Sequence, residues 1–375
     1  MKVSFAKLLA LATLLTSSTA QNIVLTNDDG WAVAQIRDEY NMLRSAGYQV
    51  ILSAPAVDKS GSGSSTTTPT TLSGPCQFNT CPSGSPATGT DSSDSNIHYV
   101  NGYPVDAVKY GIQNFAQSRW GKKPDFVVSG SNLGNNLGSG ITGSGTVGAA
   151  SEAAKEGVPS FAFSGASGSS VIYTTLTSSP SSSSTISANI YSTLINKFLS
   201  VYLSGGTSTP IVPAGYSVNI NFSSTSSCSN NANNFKWVAT RLVKSASGVD
   251  TSRCGSNNLP DESTVVKEGC FASVSVFDAN TKKDASASAQ KVVFDRLNSI
   301  LTYLKSATHV SYRNTEYADL LREILSGQRP NVRRTMSTLV FHGTEGRHTL
   351  NRTAGILAEN RTGCGMPMPA VYQNC

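Results

Sequence analysis

Two adjacent carboxylates, Asp28 and Asp29, stand between an apolar run and a glycine in the segment Asn22-Ile-Val-Leu-Thr-Asn-Asp-Asp-Gly30. The run predicts a buried strand of an open α/β sheet, whose carboxyl end is where such folds bind ligands. Neighbouring side chains on a strand point to opposite faces, so both carboxylates reach one point only if the chain turns, which Gly30 permits. Such a pair needs a cation, and oxygen ligands favour Mg2+, Mn2+ or Ca2+. The alternative is a plain Asp-Gly turn without any metal.

Two more oxygen-bearing side chains follow other predicted strands. The strands at residues 48–54 and 126–128 lead into Ser60 and Asn132, respectively. Because the carboxyl ends of parallel strands meet at one edge of a sheet, we expect both residues beside the carboxylate pair. Alone, Ser60 would be one loop serine among many, and Asn132 a turn residue. Their joint placement favours a common site.

The segment Ser144-Gly145-Thr146 precedes a predicted helix at residues 146–156. Backbone N–H groups and the helix dipole at such a point form a phosphate cradle, although an ordinary helix N-cap explains the same residues. Phosphate-ester hydrolysis depends on positioning and charge neutralisation more than on a strong protein nucleophile. An Arg-His-Gly motif is absent from the sequence, which excludes a phosphohistidine mechanism of the histidine acid phosphatase kind.

Several ordered motifs together resemble the SurE (survival protein E) family of metal-dependent phosphatases and nucleotidases, in its secreted fungal acid-phosphatase-like form. The resemblance covers about residues 22–300. It rests on Thr26-Asn-Asp-Asp-Gly30, Ala54-Pro55 with Ser60, Val127-Val-Ser-Gly-Ser-Asn132, Asn135 or Asn136, Ser144-Gly-Thr-Val-Gly148, and the weaker matches Val218-Asn-Ile-Asn221 and Thr240-Arg-Leu242. Two departures stand out: Ser131 occupies a position that is usually apolar, and an insertion follows residues 61–65.

The resemblance implies a role for each matching residue. The metal ligands would be Asp28, Asp29, Ser60 and Asn132, and the catalytic residues Asp28, Asp29 and Asn132. Phosphate and substrate would be bound by Asn27, Asn136, Ser144, Gly145 and Thr146. The implied cofactor is a divalent metal ion, Mg2+ or Mn2+. The implied activity is that of a secreted phosphomonoesterase, of the acid phosphatase or 5'(3')-nucleotidase type, which hydrolyses nucleoside monophosphates and related esters through a metal-activated water. The family also implies a homodimer or higher homo-oligomer.

The order of predicted elements indicates a three-layer α/β sandwich with a mostly parallel, Rossmann-like sheet and a β-rich elaboration after residue 205. We assign residues 21–305 to this phosphatase domain. Helices are predicted at residues 33–46, 105–117, 146–156, 186–203 and 292–304, and residues 61–95 are predicted to form a long loop. Residues 306–375 are rich in arginine and lack a long pattern, which predicts a poorly ordered tail.

The N-terminal residues 1–20 read as a signal peptide, with Lys2 and Lys7, a short apolar run and small residues before a cleavage point. Seven cysteines fit a secreted protein. We expect a local disulfide between Cys76 and Cys81. The other cysteines leave alternatives: Cys228, Cys254 and Cys270 compete for one bridge, Cys364 pairs with Cys375, and one thiol is left over. Sequons occur at Asn221, Asn351 and Asn360, the first in a strand that shelters it.

Other functions find less support in the sequence. A zinc-dependent deacetylase with an Asp-Asp pair would add histidine ligands nearby, and none is near Asp28. A non-catalytic nucleotide- or phosphate-binding protein is the remaining alternative. The net charge of +6 comes without a basic stripe interleaved with aromatic residues, so no stable nucleic-acid partner is expected. No segment beyond the signal peptide predicts a membrane span.

Overall fold

The computed structural model describes residues 20–205, 210–245, 248–253, 255–304 and 372–374. The chain divides into two compact units, residues 1–304 with 372–375 and residues 305–371, and the described residues belong to the first. Their strands are β1 (Asn22–Thr26), β2 (Gln49–Pro55), β3 (Thr88–Asp91), β4 (Asp94–Val100), β5 (Phe126–Leu133), β6 (Ser160–Gly165), β7 (Tyr216–Phe222), β8 (Lys236–Thr240), β9 (Phe271–Asp278), β10 (Leu301–Leu304) and β11 (Tyr372–Asn374). Their α-helices are α1 (Ala34–Ser45), α2 (Pro104–Tyr110), α3 (Ala116–Trp120), α4 (Gly145–Lys155), α5 (Thr175–Ser178), α6 (Ser183–Ser204), α7 (Glu262–Lys267) and α8 (Ala287–Arg296).

All strands of the described residues join one sheet, in the order β11-β10-β8-β9-β7-β6-β5-β1-β2-β4-β3. The neighbouring strands β7-β6-β5-β1-β2-β4 are all parallel to one another, and β1 lies in this central block between β2 and β5. Strand β9 pairs antiparallel with β7, so that β9, β8 and β10 run opposite to the central block. The strands predicted after residue 205 therefore extend the same sheet. This arrangement confirms the predicted mostly parallel α/β fold.

Helices cover both faces of the sheet, and the side-chain alternation of β1 shows the two interfaces. Ile23 and Leu25 belong to a large buried cluster with residues of α1 and α6. Val24, between them in sequence, packs with residues of α2 and α4 on the other face. Every residue of β1 is buried, as expected for a strand covered on both sides. None of the helices in the described residues combines the length and apolar character that a membrane span requires.

Three predicted elements are wrong in part. The helix expected at residues 292–304 is instead α8, which begins earlier because the Ser286 hydroxyl accepts a hydrogen bond from the Ala289 N–H. It ends at Arg296, and Leu301 and Thr302 pair with β8. Sheet pairing therefore overrides the helical pattern in the last residues. The long loop expected at residues 61–95 ends in the β3–β4 hairpin, whose strands pair antiparallel. The helix expected at residues 105–117 contains a π-helical turn, Gly111–Phe115, between α2 and α3.

Two disulfides join described residues. Cys76 pairs with Cys81, as predicted, and Cys228 pairs with Cys270, which resolves one of the alternatives left open by the sequence. Asn221 is fully buried in β7 and its side-chain amide donates to the Asn136 carbonyl, which agrees with the predicted shelter of this sequon. The predicted signal peptide, Cys254, the Cys364–Cys375 pair, the sequons at Asn351 and Asn360, and the tail up to residue 371 lie outside the described residues.

The Cys228–Cys270 disulfide is expected to stabilise the fold more than the Cys76–Cys81 disulfide, because it closes 42 residues of chain rather than 5. Chain-entropy arithmetic gives about 4 kcal/mol for the long loop and about 2 kcal/mol for the short one. Urea unfolding of the Cys228→Ser/Cys270→Ser and Cys76→Ser/Cys81→Ser double variants measures both. Equal losses of unfolding free energy would contradict the expectation.

Candidate metal centre

The turn after β1 is held by Asn27 and Gly30. The Asn27 side-chain amide donates to the Gly30 carbonyl (3.1 Å) and its oxygen accepts from the Gly30 N–H (3.2 Å). Gly30 has a φ of +104°, in the region that favours glycine. The turn leaves Asp28 and Asp29 only 2% and 4% exposed. Asn27, expected from the resemblance to bind substrate, thus uses both ends of its amide within the turn.

Asp28 is held by the first turn of α4. The Thr146 N–H donates to Asp28 Oδ2 (3.0 Å), and the Thr146 hydroxyl donates to Asp28 Oδ1 (2.8 Å). The Ser144 hydroxyl caps the helix by accepting from the Val147 N–H (3.1 Å). In the segment Ser144-Gly145-Thr146, predicted as a phosphate cradle, the Ser144 hydroxyl and both the N–H and the hydroxyl of Thr146 therefore have protein partners. The positive end of the α4 dipole faces the carboxylate pair.

Gly145 lets α4 approach Asp28 this closely. A Cβ at this position would lie 2.8 Å from the Asp28 Cβ and 2.9 Å from the Pro104 Cγ. A similar contact occurs one turn later, where a Cβ on Gly148 would lie 1.9 Å from the Gly63 carbonyl oxygen. The loop after Ser60 and the helix that binds Asp28 therefore meet through backbone atoms.

Asp29 and Asn132 are positioned by the end of β5. The Leu133 N–H donates to Asp29 Oδ2 (3.0 Å). The Asn132 side-chain amide donates to the Gly134 carbonyl (2.7 Å), which fixes the amide and leaves its oxygen end as the acceptor for a ligand. The register of β5 against β6 shifts between Ser129 and Asn132. The shift depends on Gly130, since a Cβ there would lie 2.1 Å from the Phe163 carbonyl oxygen.

The loop after β2 is tied to the same turn. The Lys59 N–H donates to the Asp28 backbone carbonyl (2.8 Å), which places Ser60 one residue from this contact. The Ser60 N–H in turn donates to Asp58 Oδ1 (2.7 Å), and Ser60 itself is exposed. The structure thus brings the loops that carry all four expected ligands, Asp28, Asp29, Ser60 and Asn132, to one edge of the sheet.

Asn136, expected to bind substrate, belongs to a network beside the site. Its N–H donates to Asn221 Oδ1 (2.8 Å) and its side-chain amide donates to the Ser164 hydroxyl (2.9 Å). Its carbonyl accepts from the side chains of Asn219 and Asn221 (2.9 Å each). The neighbouring Asn135 side chain donates to the Phe222 carbonyl (3.0 Å). These bonds hold the start of the loop between β5 and α4 against the ends of β6 and β7.

Glu262 holds the next part of that loop. Its Oε2 accepts from the Gly138 N–H (3.0 Å) and its Oε1 accepts from the Asn219 side chain (2.8 Å). Glu262 is fully buried. Burial, partly offset by these hydrogen bonds, raises its pKa to about 8. The sequence offered no signal for this residue, which lies 124 positions from its partner Gly138.

The electrostatics of the carboxylate pair fit a hard divalent cation. Burial raises the pKa of Asp28. Burial and then the negative charge of Asp28 raise the pKa of Asp29 well above its usual value. No Lys, Arg or His of the described residues forms an ion pair with either aspartate. Two carboxylates with neutral Asn and Ser oxygens are a ligand set typical of Mg2+ or Mn2+, so these residues fit such an ion.

Histidine and cysteine ligands are not grouped for a softer metal in the described part of the chain. No cluster of three or more His, Cys, Asp or Glu residues there could hold an ion. His98 instead stacks on Phe115, with ring centroids 3.9 Å apart, and bonds to the Thr90 hydroxyl (3.0 Å). Burial lowers the pKa of His98 to about 4.

Comparison with known proteins gives consistent matches. The family described as Survival protein SurE matches residues 23–248. An acid phosphatase of Yarrowia lipolytica is 33% identical over 316 residues, covering 76% of this chain and 87% of its own length. The 5'-nucleotidase SurE of Lawsonia intracellularis is 38% identical over 145 residues, so this chain spans only 50% of that relative. The crystal structure of the SurE protein from Aquifex aeolicus has a TM-score of 0.49 at 24% identity, covering 69% of this chain and 94% of its own. The family match spans every residue expected at the site.

Replacing Gly145 with alanine should separate α4 from Asp28, because the new Cβ has no room beside the Asp28 and Pro104 side chains. Loss of an orienting partner of a metal ligand typically costs about 10–100-fold in metal affinity. Isothermal titration calorimetry with Mn2+ measures the change in metal affinity. Gly140→Ala is the matched control, since nothing lies within 4 Å of its Cβ position. Equal Mn2+ affinities in the two variants would contradict the role assigned to Gly145.

Replacing Glu262 with glutamine should flatten the pH dependence of stability. The pKa of Glu262 rises from 4.5 to about 8 on folding, so between these values the native state keeps a proton that the unfolded chain has released. Stability therefore falls as pH rises through this window and levels off above it. Urea midpoints from about pH 5 to about pH 8 should fall less in Glu262→Gln than in the wild type. The exposed Glu268→Gln is the control. Identical slopes in all three proteins would show that Glu262 does not cause the dependence.

Proposed function

The chain belongs to the SurE family, and on that premise we propose that it is a divalent-metal-dependent phosphomonoesterase that hydrolyses nucleoside monophosphates and related phosphate esters. The observation that carries the proposal is the buried Asp28–Asp29 pair, which has hydrogen-bond donors from Thr146 and Leu133 but no ion-pair partner among the described residues. An acid phosphatase and 5'-nucleotidases among the relatives support the choice of substrate. Secretion and homo-oligomerisation remain part of the proposal, resting on residues 1–20, the disulfides and the family.

The chain's own residues would bind the ion and position the ester. Asp28, Asp29, Ser60 and Asn132 would hold the cation. When bound, the cation neutralises charge on a phosphoryl oxygen and lowers the pKa of a bound water. Thr146 and Leu133 keep the two carboxylates oriented before the ion arrives. Among the described residues, the Gly145 N–H has no hydrogen-bond partner, so this donor at the start of α4 is free to bind a phosphoryl oxygen.

The geometry supports hydrolysis by positioning and charge neutralisation. The positive end of α4 lies at Asp28, where it would favour the negative charge of a phosphoryl group. Such an arrangement stabilises the charge that develops on the phosphoryl oxygens during transfer to water. No step requires a covalent intermediate on the protein.

Release of phosphate from 5'-AMP and p-nitrophenyl phosphate tests the proposal. The purified protein should release phosphate with Mn2+ or Mg2+ and lose this activity in EDTA. Asp28→Asn and Asp29→Asn should each lower the rate of phosphate release more than about a hundredfold, because even a change in a ligand's orienting partner costs about 10–100-fold in metal affinity or activity. The exposed Asp295→Asn serves as a control for the general effect of removing a carboxylate.

Two outcomes would contradict the proposal. Full activity of either active-site variant would exclude the carboxylate pair as the metal site. Tight binding of 5'-AMP without phosphate release under any divalent ion would instead establish a binding protein.

A further inference from the structure

A six-residue loop closed by the Cys76–Cys81 disulfide lies in the insertion that follows the Ser60 segment; we call residues 76–81 the disulfide loop. The Cys76 N–H also donates to the Cys81 carbonyl (2.9 Å), and the Gln77 N–H donates to the Ala56 carbonyl (3.0 Å). The Thr80 hydroxyl donates to the Gln77 carbonyl (2.8 Å) and accepts from the Trp31 indole N–H (3.1 Å). The disulfide loop is therefore fixed internally and to its neighbours.

The disulfide loop lies directly on the turn that carries the carboxylate pair. The Gln77 Oε1 atom is 2.1 Å from the position that a Cβ on Gly30 would occupy. Gly30 follows Asp29, and Trp31, which bonds to Thr80, follows Gly30. The disulfide loop is thus in contact with the two residues next to the metal site.

Phe78, in the disulfide loop, has two features that cost free energy: an exposed apolar side chain and a left-handed backbone conformation. It is 37% exposed, one of three large hydrophobic residues exposed in the described part of the chain. Its backbone has a φ of 57° and a ψ of 24°, and Asn79 follows with a φ of 58°. A bulky residue in the left-handed region costs free energy and persists only where its surroundings enforce it. The exposed ring repays neither cost through its own burial, which points to a function.

We propose that Phe78 forms the leaving-group subsite, where its ring stacks on the base of a nucleoside monophosphate whose phosphate lies at Asp28 and Asp29. This inference rests on the proposed phosphomonoesterase function. Phe78 directly follows Gln77, whose side chain contacts Gly30. The Cα atoms of Gln77 and Phe78 are therefore about 3.8 Å apart, which keeps Phe78 near the turn that carries the carboxylate pair. A base has a flat π-face that stacks on aromatic side chains, whatever its hydrogen-bonding edge. The disulfide and the hydrogen bonds of Gln77 and Thr80 fix the backbone that carries the ring, so little backbone freedom remains to be lost on binding.

The test compares two esters that differ only in the base, 5'-AMP and ribose 5-phosphate. Wild-type protein should prefer 5'-AMP, and Phe78→Ala should lower kcat/KM for 5'-AMP about tenfold, the scale of one lost stacking contact. The change should appear in KM and leave kcat unaltered, because stacking acts equally on substrate and transition state. Ribose 5-phosphate should be hydrolysed as before. Alanine retains the Cβ, so the variant removes the ring and keeps a non-glycine residue in the left-handed backbone conformation.

Two further variants sharpen the comparison. Phe78→Tyr keeps an aromatic face and should restore the preference for 5'-AMP. Val249→Ala removes another apolar side chain, which is 54% exposed, and should leave kcat/KM for both esters unchanged. Melting temperatures of all three variants should equal that of the wild type.

Each other outcome overturns a distinct statement. A wild type that hydrolyses neither ester refutes the proposed function. A wild type that hydrolyses both without preference, or a Phe78→Ala variant that retains the preference, refutes the subsite and leaves the phosphatase standing. An equal loss for both esters in Phe78→Ala also refutes it, because it assigns the disulfide loop a structural role in holding Gly30.

Discussion

Burying two adjacent carboxylates is the constraint on which the rest of this site depends. An ionised carboxylate taken out of water without compensation costs several kcal/mol. Here Asp28 accepts two hydrogen bonds from Thr146 and Asp29 accepts one from Leu133, and no cationic side chain of the described residues pairs with them. The protein orients the negative charge without neutralising it. That imbalance suits a site that acquires its positive charge from a bound ion.

Glycines provide the close approaches that this arrangement needs. Gly145 and Gly148 bring α4 against Asp28 and against the loop after Ser60, and Gly130 permits the register shift that positions Asn132. At each position a Cβ would lie within 3 Å of another group, so an alanine would move Asp28, Asn132 or the loop after Ser60. The small residues of these motifs are therefore part of the site's geometry, even though they carry no reactive group.

A second set of buried polar groups supports the loop between β5 and α4. Asn219 and Asn221 of β7 bind Asn136, and Glu262 of α7 binds Gly138. A strand at the antiparallel border of the sheet and a helix beside it therefore fix the loop that leads to Ser144 and Thr146. The C-terminal strands thus contribute to the site without supplying a ligand. On the opposite side, the disulfide loop rests on Gly30. Both supports belong to parts of the chain where the sequence alone suggested elaboration or insertion.

The sequence by itself determined the fold class, the central strands and the edge at which the polar residues gather. These depend on local patterns: apolar runs of strand length, helical periodicity and polar residues directly after each run. Only the tertiary structure decided that residues 301–304 are a strand, that Cys228 pairs with Cys270, and that Thr146 binds Asp28 rather than standing free. Glu262 likewise gained its significance from a contact distant in sequence, and Phe78 from the contact of its neighbour Gln77 with Gly30. The physical reason is that propensity and pattern act within a few residues, whereas hydrogen bonds to a buried charge are chosen by whichever segments the sheet brings within reach.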